Sequence, residues 1–116
     1  MITFPEIEEG TGPILMLNLL KFKDRRLYFE KYIPAFYEVM KGLGIHEAKI
    51  SLTGDVLANI VVSEGESWEA IVLVEYPNAA AFKTMAISER YQTLAEPLRL
   101  ASVEDVKLIM TRKIEN

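Results

Sequence analysis

Residues 67 to 77 read Ser-Trp-Glu-Ala-Ile-Val-Leu-Val-Glu-Tyr-Pro and carry the clearest β-strand signal in the chain. β-Branched and aromatic residues dominate this stretch, and Pro77 ends it because proline has no backbone N–H to donate to a sheet. Both alternating rows of side chains are apolar at the centre, so neither face of the sheet there can lie open to water. Residues 14–22 (ILMLNLLKF) have the same two-sided character. One chain must therefore cover both faces of one sheet.

The segment after the first predicted strand predicts one interrupted helix. Asp24 is a suitable N-cap, and apolar residues recur at helical spacing from there to about Leu43. Pro34 lies inside this pattern and should kink the helix or begin a second segment, because it removes one backbone hydrogen bond. Further along the chain, Asn78 and Ser88 are candidate N-caps of two successive short helical segments.

The extended segments complete the predicted order. We expect four strands, at residues 13–22, 45–53, 67–77 and 103–114. The second strand is elaborated by a turn or bulge at Gly54-Asp55 and by a further extended piece at 56–62. The order β-α-β-β-α-β is that of the α+β ferredoxin-like fold, in which helices cover one face of a four-stranded antiparallel sheet. We therefore expect a single ferredoxin-like domain at residues 13–116, after a lead-in of residues 1–12.

Composition narrows the class of protein. The 116 residues are 50% hydrophobic and 26% charged, which is typical of one soluble globular domain and not of a disordered chain. A net charge of -4 provides no basic surface for a phosphate backbone, so we expect no nucleic-acid partner. No stretch approaches the roughly 20 apolar residues of a membrane-spanning helix, and the N-terminus lacks the pattern of a signal peptide. We therefore expect a cytoplasmic protein without a membrane partner.

The residues that usually bind metals and cofactors are scarce. The chain has no cysteine, which excludes disulfides, thiolate catalysis and cysteine-ligated metal sites. His46 is the only histidine, and one histidine cannot build a histidine-rich metal site. We therefore expect neither a metal nor a cofactor.

The predicted helices cover only one face of the sheet, which leaves the apolar residues of the other face without a partner. At about 25 cal/mol per Å², covering an apolar face on the order of several hundred Å² is worth many kcal/mol. A two-fold homodimer that packs sheet against sheet is the economical solution, because one patch is then its own complement. We therefore expect self-association through the open sheet face.

Several short motifs resemble an uncharacterised branch of the dimeric alpha-beta barrel superfamily, a branch known only as a domain of unknown function. These motifs are NLLKF at 18–22, Gly54, Glu64-Gly65-x-x-Trp68, VEYP at 74–77, Ser88-x-x-Tyr91 and Arg99. The chain departs from the pattern of the branch at Gly54, where a pair of glycines is common. It also departs at Met85-Ala86, where an aromatic pair often lies. The resemblance implies a dimer of ferredoxin-like protomers and implies no established catalytic residues.

Three polar residues on or beside predicted strands are candidates for a functional site. Asn18 interrupts an apolar run, so it either braces the sheet through internal hydrogen bonds or contacts a ligand. Glu75 lies near the end of the central strand, where it is either a general base or one half of an ion pair with a cation such as Arg99 or Lys107. His46 is either an acid or base, because histidine titrates near neutral pH, or an ordinary strand-entry residue.

Two aromatic residues and one arginine are candidates to line a pocket between the sheet and the helices. Trp68 and Tyr91 are either ligand contacts or ordinary core and interface aromatics. Arg99 either binds a carboxylate ligand through its planar guanidinium group or pairs with Asp105 or Glu96.

The wider superfamily includes cofactor-free monooxygenases, haem-degrading enzymes and small-molecule isomerases. Asn18 and Trp68 are similar to residues of the haem-degrading group, but that group uses a later histidine as the iron ligand, whereas His46 precedes Trp68. Haem is therefore not expected. The resemblance implies an uncharacterised small-molecule-binding protein, oxygenase-like or isomerase-like without a cofactor. The alternative is a non-catalytic dimeric binding or interaction module, because one fold hosts many functions.

Overall fold

The computed structural model describes residues 12–115, so the predicted lead-in of residues 1–12 lies outside the described residues apart from Gly12. Four strands form one antiparallel sheet: β1 (Ile14–Phe22), β2 (Lys49–Asp55), β3 (Ala70–Tyr76) and β4 (Val103–Thr111). Their spatial order is β2-β3-β1-β4. This arrangement confirms the predicted β-α-β-β-α-β order and the predicted ferredoxin-like fold.

β1 lies inside the sheet and pairs with β3 on one side and with β4 on the other. Leu20, for example, lies opposite Ala70 of β3 and Val106 of β4. Because side chains alternate along a strand, the even-numbered residues of β1 and β3 face the helices and the odd-numbered residues face the other side of the sheet. The buried core residues on these two strands include Ile14, Met16, Leu20, Val72, Val74 and Tyr76.

The first helical region changes pitch along its length. α1 (Arg25–Leu27) begins after Asp24, whose carboxylate accepts a hydrogen bond at 3.0 Å from the backbone of the last residue of α1. A π-helical turn follows at Tyr28–Tyr32, and α2 (Ile33–Gly42) has Pro34 in its first turn. Pro34 has no N–H for the usual helical bond, and the wider turn before it allows the helix to begin again. The predicted division at Pro34 is confirmed.

Three short helices follow β3, namely α3 (Ala79–Ile87), α4 (Glu89–Leu94) and α5 (Glu96–Ser102). Asn78 and Ser88 cap α3 and α4 as predicted, since each side-chain oxygen accepts a hydrogen bond from the backbone N–H three residues later. Pro97 lies in the first turn of α5, where a missing N–H costs no helical hydrogen bond. Side-chain caps therefore define where α3 and α4 begin, whereas α5 begins at Glu96 without one.

β2 differs in detail from its prediction. It begins at Lys49, after turns that include His46, and not at residue 45. The register shift lies between Ile50 and Leu52, whereas Gly54 and the residue after it pair regularly with β3. A Cβ atom on Gly54 would lie 3.2 Å from the side chain of Ile71, so this glycine serves close packing and not a turn.

The segment of residues 56–69 pairs with no strand along most of its length. Asn59 explains where β3 begins. Its side chain accepts a hydrogen bond from the N–H of Trp68 at 2.8 Å and donates one to the carbonyl of Trp68 at 3.1 Å. These two bonds satisfy the backbone groups that a longer β3 would use, so the regular ladder begins at Ala70.

Replacing the N-cap of α3 tests whether local capping fixes the helices over the sheet. The Oδ1 atom of Asn78 accepts a hydrogen bond from the N–H of Ala81 at 2.7 Å. We expect Asn78→Ala to lower the free energy of unfolding by about 1 kcal/mol, measured by urea denaturation. The control is Thr84→Ala on the exposed face of the same helix, which should stay within about 0.5 kcal/mol of the parent protein. Equal stability of Asn78→Ala and the parent would contradict the assignment.

Candidate functional site

A cavity of about 160 Å³ lies between the helices and the helix-facing side of the sheet. Strands contribute apolar side chains such as Met16, Val72 and Val74 to its lining. Helices close it with Phe36 of α2 and Phe82 of α3. We refer to it as the central cavity. Its polar lining residues are few and are Asn18, Tyr28, Tyr32, Tyr76, Tyr91 and Arg99.

Asn18 lies in β1 on the row that faces the helices, because it is two residues from Met16 and two from Leu20, which are core residues of the same strand. Its Nδ2 atom donates to the carbonyl of Val72 at 3.2 Å and to the carbonyl of Met16 at 3.3 Å. Asn18 therefore braces the sheet, and it also lines the central cavity. Since both bonds use Nδ2, the Oδ1 atom is left as an acceptor for a molecule in the cavity.

Four tyrosines converge on the central cavity from two helical segments and one strand, since Tyr28 and Tyr32 lie in the π-helical turn, Tyr91 in α4 and Tyr76 in β3. The hydroxyl groups of Tyr32 and Tyr91 are 2.8 Å apart and form a hydrogen bond. The rings of Tyr28 and Tyr32 stack, with centroids 5.0 Å apart, and all of these rings are buried. Tyr76 enters from β3, where its ring packs edge-on against Phe82 with centroids 5.2 Å apart.

Burial keeps these phenols in their neutral form. It is the largest cause of the raised pKa values of Tyr28, Tyr32 and Tyr76, and the neighbouring Tyr91 adds to each rise. Arg99 acts in the opposite direction on Tyr28, because a positive charge favours the phenolate. The three phenols are therefore hydrogen-bond donors and not bases at neutral pH.

Arg99 supplies the charge of the central cavity. Its Nε atom is buried and has no hydrogen-bond partner among the described residues. None of the ion pairs within residues 12–115 uses Arg99. The two alternative partners considered above do not pair with it, and Asp105 instead accepts a hydrogen bond from the backbone of Val106. The guanidinium group therefore faces a cavity with no carboxylate among the lining residues that the structure describes.

The structure brings three of the six candidate residues together. Asn18, Tyr91 and Arg99 line the central cavity, and their role in binding a ligand stays a prediction. Glu75 lies on the opposite face of the sheet, where its carboxylate is 3.8 Å from Nζ of Lys49. His46 is exposed in the turns before β2. Neither Glu75 nor His46 lines the central cavity, and the acid–base roles considered for them stay predictions.

Trp68 is buried but lies outside both the central cavity and the main core cluster. Its ring centroid is 5.8 Å from Nζ of Lys107, and Lys107 also forms an ion pair with Glu66. The alternation of β3 would have placed Trp68 on the row of Ala70 and Val72. The backbone N–H and carbonyl groups of Trp68 instead form hydrogen bonds with the side chain of Asn59. Trp68 therefore does not pair with a neighbouring strand, and the alternation of β3 does not apply to its side chain.

Sequence reasoning missed three of the tyrosines that line the central cavity. Tyr28 and Tyr32 are four residues apart in the first helical region, so they project from one face at helical spacing. Tyr76 belongs to the helix-facing row of β3. Helix spacing predicts that Tyr28 and Tyr32 share a face, and strand alternation predicts that Tyr76 faces the helices. That all three line one cavity depends on how the helical region lies across the sheet, which neither pattern predicts.

Comparison with known proteins supports the fold. The chain is similar to a protein of unknown function from Rhodopseudomonas palustris, with 27% identity and a TM-score of 0.75 over 93% of this chain and 87% of that chain. It is also similar to a DABB family protein with a ferredoxin-like fold from Mesorhizobium loti, with 12% identity and a TM-score of 0.57 over 90% and 99% of the two chains. The protomer is ferredoxin-like. The predicted resemblance to an uncharacterised branch is confirmed.

A third solved structure with this ferredoxin-like fold is a dimeric protein of unknown function from Bacteroides fragilis. It is 18% identical, with a TM-score of 0.51 over 88% of this chain and 97% of that chain. No protein-family model matches the chain, and no curated protein matches it. These likenesses establish the architecture of the protomer.

Two absences apply to residues 12–115. Within them no group of three or more histidine or acidic side chains is placed to hold a metal ion. None of the described helices is long and apolar enough to cross a membrane.

The raised tyrosine pKa values predict how stability depends on pH. The unfolded chain ionises its tyrosines near pH 10, whereas the folded protein keeps Tyr28, Tyr32 and Tyr76 protonated. The unfolded state therefore binds fewer protons above about pH 10, and the free energy of unfolding must fall as the pH rises. We expect each of these phenols to contribute a slope of up to about 1.4 kcal/mol per pH unit there.

Tyr76→Phe isolates one of these contributions. The free energy of unfolding is measured by urea denaturation at several pH values for the parent and the variant. We expect the variant to lose less stability above pH 10, by up to about 1.4 kcal/mol per pH unit, and to show an unchanged slope between pH 7 and 9. Identical alkaline slopes would show that Tyr76 ionises as freely in the folded state as in the unfolded one.

Proposed function

We propose that this protein binds a small organic molecule in the central cavity. The observation that carries the proposal is the buried Nε atom of Arg99, a residue that lines a largely apolar cavity; this atom has no hydrogen-bond partner among the residues that the structure describes. A buried donor left unpaired costs about 1–3 kcal/mol. An incoming molecule with an acceptor group would remove that cost. Concave apolar sites with a few converging polar groups are the usual form of small-molecule sites.

The same residues favour one kind of cofactor-free chemistry. Arg99 and the neutral phenols are donors, and donors fixed in a site that excludes water stabilise negative charge that develops on a substrate oxygen. This is the charge that forms when a carbonyl compound enolises. The described lining offers no carboxylate or histidine to take the proton. We therefore propose binding as the primary function; oxygenase-like or isomerase-like turnover would in addition require the substrate or a water molecule to accept the proton, with the donors stabilising the charge that develops.

A ligand screen on a cavity-filling variant tests this function. Purified protein is screened by thermal shift against small metabolites and aromatic compounds. A ligand at 100 times its dissociation constant adds about 2.7 kcal/mol and should raise the midpoint by about 10 °C. Ala86 lines the central cavity with a short side chain, so we expect Ala86→Phe to fill the space and abolish each hit. The control, Ala80→Phe on the exposed face of α3, should keep every hit.

Binding would be contradicted if no compound in the screen shifted the midpoint of thermal unfolding of the folded parent protein. Shifts that persist unchanged in Ala86→Phe would place the binding surface elsewhere. Either result would favour the alternative of a non-catalytic dimeric module, in which the polar residues of the central cavity only stabilise the fold.

A second proposal concerns self-association, and the open sheet face supports it. The row that faces away from the helices carries aliphatic side chains, and none of the helices within residues 12–115 covers it; these residues are Leu15, Leu17, Leu19, Leu52, Ile71, Leu73 and Ile109. A second copy of the chain is the occupant we propose, because the same patch on two copies is self-complementary. The Bacteroides fragilis protein with the same fold is dimeric.

The segment between β2 and β3 adds to this surface. Leu57, Ile60 and Val61 are 96%, 88% and 92% exposed, which is unusual for three aliphatic side chains so close in sequence. Glu66 at the end of this segment pairs with Lys107, and Lys107 lies on the open face. The segment is thereby tied to the rim of the open face, where a second copy would cover both.

Leu17→Lys tests the homodimer. Leu17 lies between Leu73 and Ile109 at the centre of the open face. Because a charge there would be buried without a partner, we expect the variant to sediment as a monomer while the parent has the mass of two chains. Leu100→Lys, at an exposed leucine on α5, is the control and should remain dimeric. A monomeric parent, or a Leu17→Lys variant that stays dimeric, would contradict the proposed interface.

A further inference from the structure

We infer that the molecule taken by the central cavity is a single-ring carboxylic acid, bound as its anion with the carboxylate on Arg99. This inference rests on the proposed function and names its ligand class. It follows from three separate properties of the cavity, namely its charge, its size and the nature of its walls.

The charge of the site sets the charge of the ligand. Arg99 brings one positive charge to the lining, and no acidic side chain among the described lining residues offsets it. The phenol of Tyr28 stays protonated beside it and does not supply a negative charge either. One guanidinium group balances one carboxylate, and the two planar groups match in geometry. A phosphate ester carries more negative charge than a lone arginine balances.

The size of the cavity limits the ligand to about one ring. Its volume is about 160 Å³. An apolar protein cavity of about 150 Å³ is known to hold one benzene molecule. A six-membered ring therefore fills most of the space, and only a small substituent such as a carboxylate remains to be placed. A nucleotide, with its base, sugar and phosphate groups, exceeds this volume.

The walls of the cavity favour a ring over a polar chain. Phe36, Tyr76 and Phe82 already pack edge-on, with Tyr76 between the other two. A flat ring gains similar edge-to-face contacts with them, whereas the hydroxyl groups of a sugar would find few partners on these surfaces. The hydroxyl pair of Tyr32 and Tyr91 and the Oδ1 atom of Asn18 remain to bind a ring substituent.

The experiment compares benzoate with benzamide, which has the same ring and shape but no charge. Both are titrated into the full-length protein by isothermal calorimetry, and the midpoint of thermal unfolding is followed in parallel. We expect benzoate to bind at least tenfold more tightly than benzamide. This comparison uses the parent protein and does not depend on the folding of any variant.

Arg99→Gln then assigns the preference to one residue. The variant should lose at least tenfold in benzoate affinity and keep its benzamide affinity, which removes the discrimination between the two ligands. Arg112→Gln, at an exposed arginine outside the central cavity, is the matched control and should bind both ligands like the parent. Ala86→Phe should bind neither ligand.

The outcomes separate the inference from the proposed function. Equal affinity for benzoate and benzamide, or an Arg99→Gln variant that keeps the preference for benzoate, would overturn the acid assignment and leave small-molecule binding intact. Failure of both ring compounds, with hits from other chemical classes that Ala86→Phe abolishes, would overturn the ligand class alone. Failure of every compound in both experiments would overturn the proposed function as well.

Discussion

The structure depends on one constraint, which is that the two inner strands are apolar on both faces. β1 and β3 pair with each other and each takes an outer strand, so their backbone groups are satisfied within the sheet. Their side chains then require cover on two sides. The helices supply the cover on one side and enclose the central cavity there. The other side presents a self-complementary aliphatic surface, for which we propose a second copy of the chain.

The central cavity combines a few polar groups with apolar walls. Its apolar walls carry phenols that burial keeps neutral. Among the described residues, the Oδ1 atom of Asn18 accepts none of the hydrogen bonds that its side chain forms, and the Nε atom of Arg99 has no partner. The fold itself supplies none of this chemistry, since ferredoxin-like protomers serve many functions. The individual side chains at Asn18 and Arg99, and not the architecture, therefore carry the functional argument.

Much of the fold follows from local signals in the sequence. The caps at Asn78 and Ser88 and the division at Pro34 were predictable because each depends on a side chain and its own nearby backbone. The start of β3 was not predictable, because it depends on a hydrogen-bond bridge from Asn59 to the distant Trp68. The cavity is a similar case. The sequence marks Asn18 because it interrupts an apolar run, and it offers Tyr91 and Arg99 as candidates to line a pocket. The lack of a described partner for the Nε atom of Arg99 is a tertiary property that no local pattern predicts.

The most direct test of the account is a high-resolution crystal structure of the protein grown with benzoate. We predict that the ring lies in the central cavity and that a carboxylate oxygen is about 2.7–2.9 Å from a guanidinium nitrogen of Arg99. A structure in which the side chain of Glu96 or Asp105 occupies that position, with the cavity closed or empty, would contradict the account. It would show that Arg99 has an internal partner and that its charge needs no ligand.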